Sequence, residues 1–183
     1  LNPGFSVSVT TSTKATDLSR DRSVDLVIRY GTGHQEEGMF SRSLFTEKLG
    51  VFGSPQLLRK SDLTDLTLIE TRWQNQELPT ITWDHWLEKK GLEPKDFTKR
   101  RYFDEEQHVL QAGLAGQGLI LISCLLVEDI LERGWLEPFE PGYLLDGLSY
   151  TILSTEERSR SRKTRTFIKW LLDQAKEIER ADR

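Results

Sequence analysis

The hydrophobic pattern of the chain changes period along its length, and the changes mark out elements. From Phe5 to Thr10, Phe, Val and Val alternate with Ser ahead of the polar run Thr10–Thr13, which predicts a strand followed by a loop. A short helix is expected next. Val24–Tyr30 is then apolar through its centre and breaks at Gly31-Thr32-Gly33. Such a run reads as a buried strand of a parallel sheet. Lys48–Phe52 predicts a further strand. Ser54 followed by Pro55 predicts a helix start, with the serine as cap and the proline at the first helical position. Leu66–Thr71 is strand-like again and runs into the polar stretch Arg72–Glu77, which reads as a passage between lobes with a hinge near Thr71.

Beyond that stretch the period becomes helical. Thr82 is placed to cap a helix through Lys90 that carries Trp83, Trp86 and Leu87 on one side, with Gly91 to stop it. Those tryptophans are expected in the core. From Arg101 to Phe139 the chain reads strand, helix, strand, helix. Asp104 with Gln107 resembles a capping box, and Val109, Leu110, Ala112, Leu114 and Ala115 supply the apolar positions of the helix that follows. Gly116-Gln117-Gly118 closes it. Leu119–Ile122 is wholly apolar, as in a strand covered on both faces, and Ser123 emerges from it before a helix that ends at Gly134. Right-handed crossovers then require a parallel sheet. A last strand, Ser149–Leu153, precedes a charged loop at Arg158–Arg162. A long helix from about Lys163 follows, with Phe167, Ile168, Leu171, Leu172 and Ala175 on one face. The fold class is α/β.

Composition narrows the possible functions. The chain has 183 residues, 37% of them hydrophobic and 30% charged, and no apolar run of membrane-spanning length. A net charge of −4 argues against the chain coating nucleic acid. Its basic clusters, Lys99-Arg100-Arg101 and Arg158, Arg160, Arg162, Lys163 and Arg165, read as solvated surface. Cys124 is the only cysteine, which rules out an internal disulfide and fits a reducing compartment. Leu1-Asn2-Pro3-Gly4 shows no secretory signal, and the missing initiator Met reads as a fragment. A cytoplasmic location is expected.

Candidate chemistry is sparse. His34, His85 and His108 are far apart in sequence, so no metal site is expected, and Gly31-Thr32-Gly33 lacks the third glycine of a dinucleotide loop. No nucleophile stands beside a base, and neither an enzyme nor a cofactor is expected. What remains is a set of polar residues at the carboxyl ends of strands, where open α/β sheets bind ligands. Thr10, Thr11 and Ser12 follow the first strand, and Arg29 and Tyr30 follow the second. Glu70 and Thr71 lie at the hinge, while Asp104 and Ser123 open helices. Hydroxyls and free helix-start N–H groups suit a small polar ligand. Ser, Thr and Asp at helix starts are also ordinary caps. Capping is the better reading of Asp104, whose own carboxylate would satisfy the helix start and repel an anion. Arg29 could instead pair with Asp25 or Glu70.

Four segments in order resemble the effector-binding domain of LysR-type transcriptional regulators, particularly the group containing the glycine-cleavage activator. They are Val24–Gly31, Ser43–Phe45 leading to Leu49–Pro55, Phe103-Asp104 with Leu110–Gly118, and Gly134–Phe139. The resemblance implies a two-lobed fold of the periplasmic-binding-protein type, truncated at the N-terminus, with the effector in the cleft. On that basis the first lobe would comprise residues 1–70 and 151–183, and the second 71–150. It also implies a small-molecule effector, DNA contacted through a helix-turn-helix domain outside this chain, a homodimer or homotetramer, and no membrane. A solute-binding protein of a transport system would share the fold and is the alternative.

Overall fold

The computed structural model describes residues 4–12, 14–33, 38–59, 65–73 and 78–181. Thr13, His34 and residues 74–77 of the polar stretch lie outside them. The chain divides into two units, Leu1–Thr46 with Leu148–Arg183 and Glu47–Gly147, and it passes between them within two long strands. No helix among the described residues is long and apolar enough to cross a membrane.

The second unit contains most of the regular α/β structure. The end of β2 (Met39–Gly53) leads through Ser54 into the short helix α1 (Pro55–Leu58). Then come β3 (Leu68–Thr71), α2 (Trp83–Lys89), β4 (Arg100–Phe103), α3 (Glu106–Leu114) and β5 (Leu119–Ser123). The helix α4 (Glu128–Glu132), the two-residue β6 (Glu137–Pro138) and the start of β7 (Leu145–Thr155) complete it. β3 runs parallel to β5, with Leu68 opposite Leu119, and parallel to β4, with Leu68 opposite Arg100. β2 joins β5 antiparallel, with Leu49 opposite Ser123. The parallel pairing expected from the strand–helix–strand rhythm is therefore present here. α2 links β3 to β4, and α3 links β4 to β5 on the far side of β3, so strand order reverses at β3.

Alternation along these strands builds two cores. Leu119 and Leu121 join Leu68, Trp83, Trp86 and Leu87 on one face, while Ile120 and Ile122 join Ile69, Val109 and Leu110 on the other. The apolar run Leu119–Ile122 is thus covered on both faces, as its composition predicts. Both tryptophans of α2 are core residues: Trp83 donates its indole N–H to the Ile69 carbonyl at 3.0 Å. Ser54 caps α1 through its Oγ, 3.4 Å from Leu57 N. Thr82 opens α2 by donating its N–H to His85 Nδ1 at 3.2 Å. At Gly118 the chain passes so close to β3 that a Cβ would sit 2.2 Å from the Thr67 carbonyl oxygen.

The first unit holds β1 (Val27–Gly31), the start of β2, most of β7, α5 (Glu156–Ser159) and α6 (Arg162–Ala181). Four expectations are corrected here. β1 pairs antiparallel with β7, Val27 opposite Leu153, rather than lying in a parallel sheet. Ile28 is 46% exposed, so its apolar run is not covered on both faces, which was the ground for the parallel reading. Phe5–Thr10 forms no strand, and Val7 and Val9 stay exposed, so the alternation has no buried face to serve. The segment after it makes a single turn instead of a helix. Asp17 takes the N–H and hydroxyl of Ser19, and Asp21 those of Ser23, an alternative to helical bonding. The expected loop at Arg158–Arg162 also begins in a short helix, α5, capped by Thr155, whose Oγ1 accepts from Arg158 N. α6 then presents Ile168 and Ala175 as buried residues and Phe167, Leu171 and Leu172 as half-buried ones.

Candidate functional site

In the second unit, the parallel strands end together at Thr71, Phe103 and Ser123, and α3 begins just beyond β4. A reversal of strand order at this end opens a crevice in α/β sheets. Thr71 continues the side of β3 that carries Ile69, the side packed by α3. Its Oγ1 is buried without a hydrogen-bond partner, and so is Oγ of Ser123, a residue only 2% exposed. Buried hydroxyls normally find partners, so two orphans at adjoining strand ends call for an explanation.

Glu106, the first residue of α3, reaches across to β5, where Ser123 N–H donates to its Oε1 at 3.3 Å. Burial pushes this carboxyl up to about 7, the nearby Glu47 carboxylate adds to the rise, and the Ser123 N–H opposes it. Thr71 and Ser123 are among the residues singled out from the sequence, whereas Glu106 and Glu47 are not. The available signal was an acidic pair, Glu105-Glu106, where a helix follows a strand.

Glu70 and Asp104 are used differently. Glu70 is buried and accepts the Trp83 N–H at 2.6 Å, which anchors the start of α2. Burial raises its pKa, while the Trp83 bond and Arg100 act against the rise. Asp104 is exposed and caps nothing: the N-cap of α3 is Glu105, and Asp104 Oδ1 lies 4.0 Å from His108 Nδ1. The expected capping box is absent because α3 starts one residue later than Gln107 at its third position would require.

In the first unit, Thr10, Thr11 and Ser12 are exposed. Ser12 Oγ turns back on its own loop, donating to the Lys14 carbonyl at 3.0 Å and accepting Lys14 N–H at 3.1 Å. Arg29 and Tyr30 lie on β1, half-buried. The Arg29 guanidinium reaches the Thr16 carbonyl at 3.5 Å, while Asp25 pairs with Lys163 at 3.0 Å. Tyr30 Oη accepts Leu148 N–H at 3.1 Å, and its ring packs on Tyr150 at 4.9 Å. The structure therefore groups Arg29 and Tyr30 on one strand and places Thr71 and Ser123 at neighbouring strand ends, with Thr71 on the side of the sheet that carries Ile69 and Ser123 on the side that carries Leu119 and Leu121.

Among the described residues no cluster of His, Cys, Asp and Glu can hold a metal ion. Cys124 forms no disulfide and lies half-buried in the turn after β5.

The sequence model of the LysR substrate binding domain matches residues 1–176, nearly the whole chain. The chain belongs to this family. A relative, the uncharacterized HTH-type transcriptional regulator YhjC of Escherichia coli, is 26% identical over 97% of the chain and 60% of its own length. The glycine cleavage system transcriptional activator homolog of Haemophilus influenzae is 27% identical over 87% of the chain and 52% of its own length. The chain thus spans a little over half of these relatives. Among solved structures, the effector domain of the transcriptional regulator AmpR of Pseudomonas aeruginosa superposes with a TM-score of 0.70 at 22% identity, covering 91% of this chain and 79% of that one. The full-length Vibrio cholerae virulence activator AphB gives 0.65 at 18% identity over 95% of this chain and 59% of that one. The LysR domain accordingly has the fold of LysR effector-binding domains, that of two-lobed periplasmic-binding-protein-like modules.

Proposed function

We propose that this LysR domain is the effector-sensing part of a transcriptional regulator and that it binds a small polar molecule without chemical turnover. The observation that carries the reading is the pair of buried, partnerless hydroxyls, Thr71 Oγ1 and Ser123 Oγ, at the strand ends of a domain whose family model matches residues 1–176. Thr10, Thr11, Ser12, Arg29 and Tyr30 would contribute from the first unit, and Glu70, Thr71, Asp104 and Ser123 from the second. Glu70 offers only its remaining oxygen, since the other serves Trp83. DNA contact would come from a helix-turn-helix segment outside these residues, in a cytoplasmic homodimer or homotetramer. A ligand can bias such a protein only by binding one arrangement more tightly than another, with typical couplings of about 1–3 kcal/mol.

Thermal-shift screening of small polar metabolites tests this reading. A true effector at a hundredfold excess over its Kd stabilises the domain by about 2.7 kcal/mol. Arg29→Ala and Ser123→Ala should each weaken that response while leaving the unliganded melt nearly unchanged. Unaltered titrations in both variants would remove these strand ends from the site.

A further inference from the structure

We propose that the Thr71 end of β3, facing the first turn of α3, takes an uncharged amide group of the ligand, whose carbonyl accepts from the helix N–H groups and whose N–H donates to Thr71 Oγ1. The inference rests on the reading of these strand ends as ligand-binding, and it names the chemical class that one side of the sheet selects. Only that side is used, since Ser123 projects on the other.

The first turn of α3 lies over this strand end. Late in the helix, Gly113 passes so close to β5 that a Cβ would come within 2.6 Å of Ile120 Cδ1. Val109 and Leu110 share a core with Ile69 and Ile122, and Glu106 at the helix start reaches Ser123 N–H at 3.3 Å. The helix therefore runs back along the sheet from the carboxyl ends of the strands. Thr71 follows Ile69 by two positions on β3, so its side chain projects on the helix side, beyond Ile69 and toward that first turn. It is 9% exposed, and its Oγ1 has no hydrogen-bond partner. Phe103, opposite Thr71 on β4, packs against the same core and supplies an apolar wall. α3 is nine residues long, and the side chain of its N-cap, Glu105, makes no capping bond, so the N–H groups of the first turn are left for an outside acceptor.

Ions of either sign match this place poorly. An anion would meet the Glu106 carboxylate, and the cations of β4 and α3 are not placed to offset it. Arg101, on the same face of β4 as Phe103, is held by the Gln117 side chain. Arg100 lies on the other face with Asp84 at 2.7 Å, and His108 lies beside Asp104 at 4.0 Å. A cation could pair with Glu106, but it would face the positive end of the helix and, having no acceptor, would leave the first-turn N–H groups unserved. An amide supplies both halves of the match. Its carbonyl oxygen accepts from the helix start, and its two N–H donors serve Thr71 Oγ1 and the second oxygen of Glu106, whose Oε1 already takes Ser123 N–H.

Acetamide, acetate and ethylammonium are alike in size and differ in charge, and each is titrated into the 15N-labelled chain at pH 8, where Glu106 is ionised. Acetamide should move the amide resonances of Thr71, Glu106 and Gln107 and bind about tenfold more tightly than either ion, since bringing like charges together costs at least that factor. Thr71→Val keeps the shape of the side chain and removes an unsatisfied buried hydroxyl, so it should leave the melt nearly unchanged while weakening acetamide binding about fivefold. Equal or tighter binding of acetate or ethylammonium at these resonances would overturn the amide assignment and keep the ligand site. Acetamide binding that is unaffected by Thr71→Val would overturn it as well. Shifts confined to Arg29 or Ser123 would remove the amide from the Thr71 side and leave the wider ligand-binding reading in place, whereas no shift with any probe would end both. Because the comparison of the three probes on the parent chain gives an answer by itself, the test does not depend on the variant folding.

Discussion

A carboxyl held partly out of water beside another carboxylate makes stability depend on pH. Folded, Glu106 keeps its proton up to about 7, against an ordinary glutamate value of 4.5. Between those values the folded chain binds more protons than the unfolded one, so stability falls as pH rises through the window and stays lower above it. Glu106→Gln removes this contribution. Relative to the parent, the variant should gain stability between pH 4 and pH 8, with a ceiling of about 3 kcal/mol at about 1.4 kcal/mol per pH unit. Urea titrations at both pH values measure it, and an equal difference at both would mean that Glu106 titrates as an exposed side chain. Glu70 is shifted in the same direction by its burial, but it is present in both chains and cancels from the comparison. A second test at this scale concerns backbone contact. Gly118→Ala would press a methyl to 2.2 Å from the Thr67 carbonyl oxygen, whereas a Cβ at Gly31 meets nothing within 4 Å. The first should cost about 3 kcal/mol in denaturant unfolding and the second under about 1 kcal/mol. A tolerated Gly118→Ala would show that β3 and the turn before β5 can separate without cost.

At the scale of elements, the basic run near the C-terminus has a structural use that its composition does not reveal. Arg158 Nη1 donates to the carbonyls of Leu18 at 3.0 Å and Val24 at 2.8 Å, while Ser154 Oγ donates to the Asp25 carbonyl at 2.7 Å. These bonds hold a segment that has no ladder of its own. Arg158→Ala should leave two carbonyls to find water, cost about 2 kcal/mol, and speed amide exchange across residues 17–24. Unchanged protection there would assign the work to Ser154. The same contrast explains what was legible. Leu119–Ile122, Trp83 and Trp86, and the Ser54 cap follow from local pattern because the faces they need are supplied by adjoining elements of one unit. Phe5–Thr10 carries as good a strand pattern, yet pattern becomes a strand only with a partner, and Val9 is left 80% exposed. Asp17–Ser23 fails for the opposite reason: its side chains satisfy the backbone locally before a helix can. At the candidate site, Thr71 and Ser123 were visible because strand ends can be located from sequence. Glu106 was not, because its role depends on reaching a different strand and on Glu47, which is distant in sequence.

For the molecule as a whole, the distribution of charge bears on the partner that the family reading brings with it. LysR-type regulators bind DNA, but this chain spans 60% and 52% of two such relatives and has a net charge of −4. Phosphate binding would need cations left over from the protein's own pairs. In the two basic clusters, Lys99 faces Asp65 at 3.5 Å, Arg100 holds Asp84, Arg160 holds Glu156 at 3.3 Å, and Lys163 holds Asp25. Arg158 is committed to backbone carbonyls. A protein that neutralises several phosphates loses orders of magnitude in affinity between about 50 and 200 mM salt, so low salt is where weak contacts appear. These 183 residues alone should therefore leave duplex DNA unretarded in a mobility-shift assay at 50 mM salt. Retardation that fades steeply with added salt would show that the clusters release their carboxylates to bind phosphate, and DNA contact would then have to be assigned to the sensing domain itself.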